Sequence, residues 1–202
     1  MLAPATFLDS HLSTRSEFEN ARKTLSSEEL YEVERKALEN KVKHDIAANG
    51  PGLRALQMEL IQWTWKEVET LPVETVGVLL FKHIFEAAPQ AASLFSFGKV
   101  AGFNPAADHS KNPAVTKHAV GVVKTVGTAI GLLQDLSTLV PVLKDLGKRH
   151  TKYGVVAAHY PIVGGAFMKT LQVGMGAAFT PEVEASYAAM WNVVQSVMLS
   201  EV

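Results

Sequence analysis

The sequence predicts an all-α protein. Three observations lead there. Apolar residues recur at i, i+3, i+4 and i+7 through the long segments, the period of a helix with one buried face. Helix-start signals punctuate the chain, as at Ser26, Asn112-Pro113 and Thr180-Pro181. No stretch shows sustained β alternation between turn signals, and no internal repeat is present.

Residues 1 to about 25 are mixed in character, with Ser and Thr scattered through them, and weak order is expected there. Ser26 and Glu29 then have the spacing of a capping box. Leu30, Val33, Ala37 and Leu38 follow at helical spacing, and Glu32–Lys36 and Glu39–Lys43 form i,i+4 pairs in the favourable order. The apolar stripe is thin, so this helix either docks on the main domain or pairs with a second copy as a homodimer contact. Asn49-Gly50-Pro51-Gly52 ends it. Residues 1–51 are therefore read as a partly helical extension and residues 52–202 as the main domain.

In the main domain, Leu53, Leu56, Leu60, Thr64 and Val68 give a helical stripe with Trp63 and Trp65 beside it. Pro72 restarts a helix whose stripe is Val76, Leu79, Leu80, His83 and Ile84, with Phe81 and Phe85 on an adjoining strip. Ala88-Pro89 begins a short helical turn that reaches Leu94-Phe95. Gly98, Gly102 and Pro105 mark residues 96–111 as a loop. Asn112-Pro113 is an N-cap followed by a first-turn proline, and Val115, Ala119, Val122, Val126, Ala129, Ile130 and Leu133 trace the face that follows. Pro141 is read as opening the next helix, which carries His150 and stops at Gly154. Pro161 opens another, with Ile162, Val163, Phe167, Leu171 and Met175. Thr180 caps the last, with Tyr187, Met190, Trp191, Val194 and Met198 on its core side. The reading is about seven or eight helices after Gly52.

Composition excludes several functions. The net charge of −1 gives no electrostatic case for nucleic acid or an anionic membrane. The chain has no cysteine, which removes disulfides, thiolate zinc sites, iron–sulfur clusters, thiolate-ligated haem and covalent haem attachment. Any haem must be non-covalent and held by His, Tyr or Met. The lack of disulfides fits a reducing compartment, and a cytoplasmic location is expected. No apolar run approaches the roughly 18 residues of a membrane span, and Met1 to Ser10 is a poor secretory signal. No H-E-x-x-H, G-x-S-x-G or P-loop is present.

Seven histidines remain to be sorted. His11 and His44 lie in the extension, His83 beside Phe81 and Phe85, His109 in the loop, and His159 at a helix start. His118 and His150 lie on separate helices, each able to present one imidazole to a shared apolar space. By spacing alone they are either a ligand pair or two ordinary structural histidines.

The order of elements from about Leu53 to Val202 resembles the globin family, and among globins the neuroglobin-like branch. The resemblance rests on Pro89 through Phe95, on His118 four residues before Val122, and on Leu146-Gly147-Lys148-Arg149-His150. Tyr153-Gly154-Val155 and Phe179-Thr180-Pro181 also match, and the two histidines stand at the family's separation. This resemblance implies the globin fold, a three-over-three helical sandwich, with an extra N-terminal helix. It implies haem b, with His150 as the axial iron ligand and His118 on the distal side. Phe95 would stack on the haem face, Phe81 and Val122 would line the distal side, and Val155, Tyr160 and Val163 would pad the haem edge.

Two positions depart from the family pattern. Gly121 stands where a basic residue often meets a propionate, and Phe97 stands where neuroglobin has a tyrosine. Lys117, Arg149, His109 and His159 are the remaining candidates for that anchoring. The function implied is binding of O2, CO or NO at ferrous iron, with His118 coordinating the iron until ligand displaces it. The alternatives are a haem enzyme (NO dioxygenase, nitrite reductase or peroxidase-like) and a redox or gas sensor. NO dioxygenation would need a separate reductase, since the chain has no flavin or nicotinamide domain.

Overall fold

The computed structural model describes residues 23–50 and 52–200. The weak order expected over the first 25 residues falls mostly outside them, as does His11. The chain divides into two compact units, Met1–Gly50 and Pro51–Val202.

In the first unit, α1 spans Ser27–Asn49. Its capping box forms as the sequence predicts: the Ser26 N–H donates to Glu29 Oε2 at 2.9 Å, and the Glu29 N–H donates to Ser26 Oγ at 3.3 Å. Arg35 is buried and meets two carboxylates, Glu32 at 2.6 Å and Glu39. Gly50, at φ +74°, ends the helix by donating its N–H to the Ile46 carbonyl at 2.8 Å.

The second unit contains six α-helices among the described residues: α2 (Ala55–Glu69), α3 (Val73–Ala87), α4 (Pro113–Gly131), α5 (Leu136–Lys152), α6 (His159–Met175) and α7 (Pro181–Leu199). Short 3-10 turns at Pro89–Leu94, Phe97–Lys99 and Gly176–Ala178 complete it. The layer of α2, α4 and α5 packs across the layer of α3, α6 and α7, chiefly through α3 on α4, α5 on α7 and α2 on α7. This is the three-over-three helical sandwich, with one further helix before it.

Three helix contacts, α3 on α4, α5 on α7 and α6 on α7, bring backbone to backbone or to a ring, and each requires glycine. A Cβ on Gly77 would lie 2.8 Å from the Ala119 carbonyl carbon, so α3 and α4 cross at the closest possible approach. A Cβ on Gly147 would lie 2.1 Å from the Met198 carbonyl oxygen, which sets α5 against α7. A Cβ on Gly164 would meet the Trp191 indole nitrogen at 2.4 Å.

The helix carrying His150 starts earlier than its proline suggests. It begins at Leu136, and Pro141 lies inside it. Asp135 is the N-cap: its side chain accepts the Thr138 N–H at 3.2 Å and the Ser137 hydroxyl at 2.6 Å. Pro141 has no N–H to give the Ser137 carbonyl, and its exposed position on the helix makes that loss tolerable. Residues 96–111 also contain more structure than a plain loop, since Phe97–Lys99 forms a 3-10 turn that buries Phe97.

Candidate functional site

His118 is set by the start of α4. Asn112 accepts the N–H groups of Ala114 and Val115 at 3.1 and 3.3 Å, which fixes the first turn. The Gly77–Ala119 crossing then brings His118, one residue before Ala119, against Phe81, one turn beyond Gly77. The His118 ring meets Phe81, Phe95 and Phe97 at centroid distances of 5.4, 5.3 and 6.0 Å. These are edge-on or tilted contacts, each worth about 0.5–1.5 kcal/mol beyond burial. Despite three phenylalanines beside it, His118 is exposed, so its remaining side faces open space. Val122, one turn on, is half-buried along the same strip, whereas its neighbour Val123 is the buried core residue. The sequence stripe named Val122 for the core. Its place in the His118 strip explains the difference.

His150 is held twice over. Its Nδ1 lies 2.8 Å from the Leu146 carbonyl oxygen, so Nδ1 carries a proton and donates, which leaves Nε2 as the nitrogen not tied to backbone. Its own carbonyl accepts the Val155 N–H at 3.1 Å, while the Gly154 N–H donates to the Thr151 carbonyl at 3.0 Å. This pair of bonds is a Schellman cap, made possible by Gly154 at φ +85°. It also places Val155 directly after the histidine helix. The same corner touches the far wall: a Cβ on Gly154 would lie 3.7 Å from Leu94 Cδ2.

Partial desolvation against the three phenylalanines lowers the His118 pKa first, and His150 lowers it further. Both effects favour a neutral His118 imidazole with a lone pair available. Burial likewise pushes the Tyr160 phenol up. Tyr160 is buried and Val163 half-buried on α6. Lys117 and Arg149 are exposed neighbours of the two histidines, and Arg149 pairs with Asp145 at 3.0 Å.

The other histidines have local partners. The Thr170 hydroxyl donates to the Ala166 carbonyl at 2.8 Å, so His83 Nδ1, 3.0 Å from that hydroxyl, must be the donor. His159 Nδ1 accepts the Val156 N–H at 3.1 Å and so closes the turn that enters α6. His109 is buried and stacks on Phe103 at 4.8 Å and 3°. Its ring also meets Phe85 at 5.8 Å, one phenylalanine removed from His118. Sequence reasoning missed Phe85 and Phe103 as members of this aromatic cluster. The available signal was density: Phe95, Phe97 and Phe103 fall within nine residues. A separate apolar cavity of 230 Å³, lined by residues such as Trp65, Val68, Leu80, Phe167 and Leu171, includes neither His118 nor His150.

The Globin family model matches residues 78–198, more than half of the chain and spanning both histidines. The chain is a globin. It is similar to the neuroglobin of Danio rerio, 30% identical over 139 residues that cover 69% of this globin and 86% of the relative. It is also similar to the anaerobic nitrite reductase AHB2 of Arabidopsis thaliana, 32% identical over 144 residues, covering 70% of this chain and 88% of that protein. Among solved structures, a hexacoordinated haem protein from an anhydrobiotic tardigrade, at pH 4, superposes with a TM-score of 0.66 and 17% identity. That match covers 74% of this globin and 94% of the tardigrade chain, and it shows the shared fold.

The globin family implies haem, and the residues present fit it. The available donors are imidazoles, with no thiolate in the chain, and an Nδ1 committed to the Leu146 carbonyl leaves Nε2 as the atom of His150 that could coordinate. The phenylalanines beside His118 supply the apolar wall that a porphyrin needs. Among the described residues no helix is long and apolar enough to cross a membrane.

Proposed function

We propose that this globin holds haem b non-covalently between His150 and His118 and binds O2, CO or NO at the ferrous iron. When bound, the haem supplies the redox-active iron and its open coordination chemistry. His150, its ring fixed by the Leu146 carbonyl, would hold the iron through Nε2. His118 would be the second imidazole available to the iron, and would have to yield its place to a diatomic ligand. Phe81, Phe95 and Phe97 line one side of the His118 ring with carbon and offer it no hydrogen-bond donor there. Val122, Val155, Tyr160 and Val163 pad the porphyrin, while Lys117 and Arg149 are the cations beside the two ligands that can meet propionates.

The observation that carries this reading is the setting of the two rings on different helices: His118 against Phe81, Phe95 and Phe97, and His150 with Nδ1 tied to the Leu146 carbonyl. It is tested by His150→Ala. Haem retention should be lost or greatly weakened in the purified variant. Full haem stoichiometry with an unchanged spectrum would overturn the assignment.

A second reading draws support from the Arabidopsis relative named as an anaerobic nitrite reductase. In it, nitrite would take one electron from ferrous iron, which becomes ferric, and two protons from solvent, leaving NO and water, while a neutral His118 orders the entering water and nitrite beside the iron. Stoichiometric NO release that falls in His118→Ala distinguishes this from simple ligand binding.

A further inference from the structure

The cavity between α2, α3, α4 and α6 takes no part in the haem site, since neither His118 nor His150 lines it. Its volume is 230 Å³. Among its lining residues only Trp65, Thr75 and Thr170 carry a polar side-chain atom, and none carries a charge. An ion placed there would lose its hydration with nothing to replace it, so the space suits a neutral occupant. Leu80 and Leu171, 3% and 1% exposed, form its inner wall. Val173 also lines it and is 63% exposed, so the space reaches the surface near the end of α6. An organic molecule can therefore enter it.

Size and lining narrow the occupant further. An apolar cavity of about 150 Å³ takes one benzene. In proportion, 230 Å³ takes about nine heavy atoms, a benzene ring with a short side chain. A diatomic gas would leave most of that volume empty. Trp65 and Phe167 offer aromatic surface to such a ring. A wider cleft shares Trp65, Val68 and Val76 with the cavity, so the Trp65 wall has space on both sides. The Trp65 N–H is buried with no hydrogen-bond partner among the described residues, so packing alone holds that ring and lets it adjust.

The two hydroxyls differ in what they can still do. The Thr170 hydroxyl donates to the Ala166 carbonyl at 2.8 Å and accepts from His83 Nδ1 at 3.0 Å, so it is committed. Thr75 is exposed, and its hydroxyl has no hydrogen bond among the described residues. We propose that this cavity binds a small uncharged aromatic molecule: a benzene ring with a short side chain, whose one oxygen accepts a hydrogen bond from Thr75. The site is separate from the haem and does not depend on the haem reading.

The test uses the full-length protein as purified, titrated in a calorimeter with acetophenone and with ethylbenzene, which has the same ring and no oxygen. Both should bind, with dissociation constants on the order of 1 mM or below. Thr75→Val should weaken acetophenone roughly fivefold, the strength of one net hydrogen bond, and leave ethylbenzene within about twofold. Leu79→Phe and Val126→Phe fill the space from α3 and from α4, and each should abolish binding of both probes. Two filling variants are used because either one could overpack. The one that keeps its helical circular dichroism decides.

In the haem-loaded protein neither probe should move the Soret band, because the cavity includes neither histidine. Absence of binding by both probes would overturn the proposal, as would wild-type affinity in a folded filling variant. So would a Soret shift that follows the binding curve, which would place the probe at the haem. Equal effects of Thr75→Val on the two probes would remove the hydrogen bond on which the ligand class rests. Uptake of xenon without uptake of ethylbenzene would leave a gas cavity only and would also overturn it. A chain that takes up no haem contradicts the haem reading, while the calorimetric titrations still decide this site.

Discussion

Gly121 stands where the resemblance to globins leads one to expect a basic residue. It is exposed on α4, three residues after His118, and a Cβ built on it meets nothing within 4 Å. The backbone is helical there, so a longer side chain costs no strain. Replacing an interior helix glycine also gains up to about 1 kcal/mol of helix propensity. Gly121→Lys should therefore raise the thermal midpoint and place a cation where a propionate would sit. Haem transfer to excess apomyoglobin should slow roughly two- to fivefold, the worth of one exposed ion pair. Unchanged transfer with a raised midpoint would mean that propionates do not lie near this position. At the residue scale the sequence was informative wherever chemistry is specific to a residue type. Gly154 could be read because glycine just past the last periodic residue is a helix-stop signal, and it adopts φ +85° here; His150 stood out only through the run that resembles globins. Phe103 and His109 could not, because their stacking depends on how a glycine-containing segment folds back, and no periodicity encodes that.

The helix Leu136–Lys152 shows what an element adds to its residues. The proline rule misplaced its start by five residues, since Pro141 lies inside it. The competing signal was Asp135-Leu136-Ser137-Thr138, in which Asp135 caps the helix through Thr138 and Ser137. A side-chain cap overrode a proline because the exposed face of α5 tolerates one missing hydrogen bond. Gly147 matters for a reason visible only in three dimensions. It sits one turn before His150 and lies against the Met198 carbonyl, so α5 and α7 touch through backbone. Gly147→Val must push these helices apart and carry His150 with them. Denaturant melts of the apo-protein should show a loss of about 2 kcal/mol, as for overpacking generally. Haem affinity should fall as well. A variant with unchanged stability would show that the helices separate at no cost. In the sequence, Gly147 is recognisable only as part of the Leu-Gly-basic-basic-His run that resembles globins.

At the scale of the whole molecule, the match to the family begins at residue 78, and the chain divides between Gly50 and Pro51. Deletion of residues 1–50 should leave haem uptake and the absorption spectrum unchanged. A change of mass by light scattering without loss of haem would assign the first unit to self-association. Loss of folding would make it part of the globin core. The all-α class and the order of helices were legible because each helix has its own amphipathic stripe and start signal. The close backbone approaches of Gly77 to Ala119 and of Gly147 to Met198 were not, because they are long-range and no periodicity encodes them. The central claim is that both histidines hold the iron from opposite sides. The reduced, ligand-free absorption spectrum of wild type against His118→Ala tests it most directly. The account predicts sharp, split low-spin visible bands in the wild type that collapse to one broad high-spin band in the variant. A broad high-spin band already present in the wild type would contradict it.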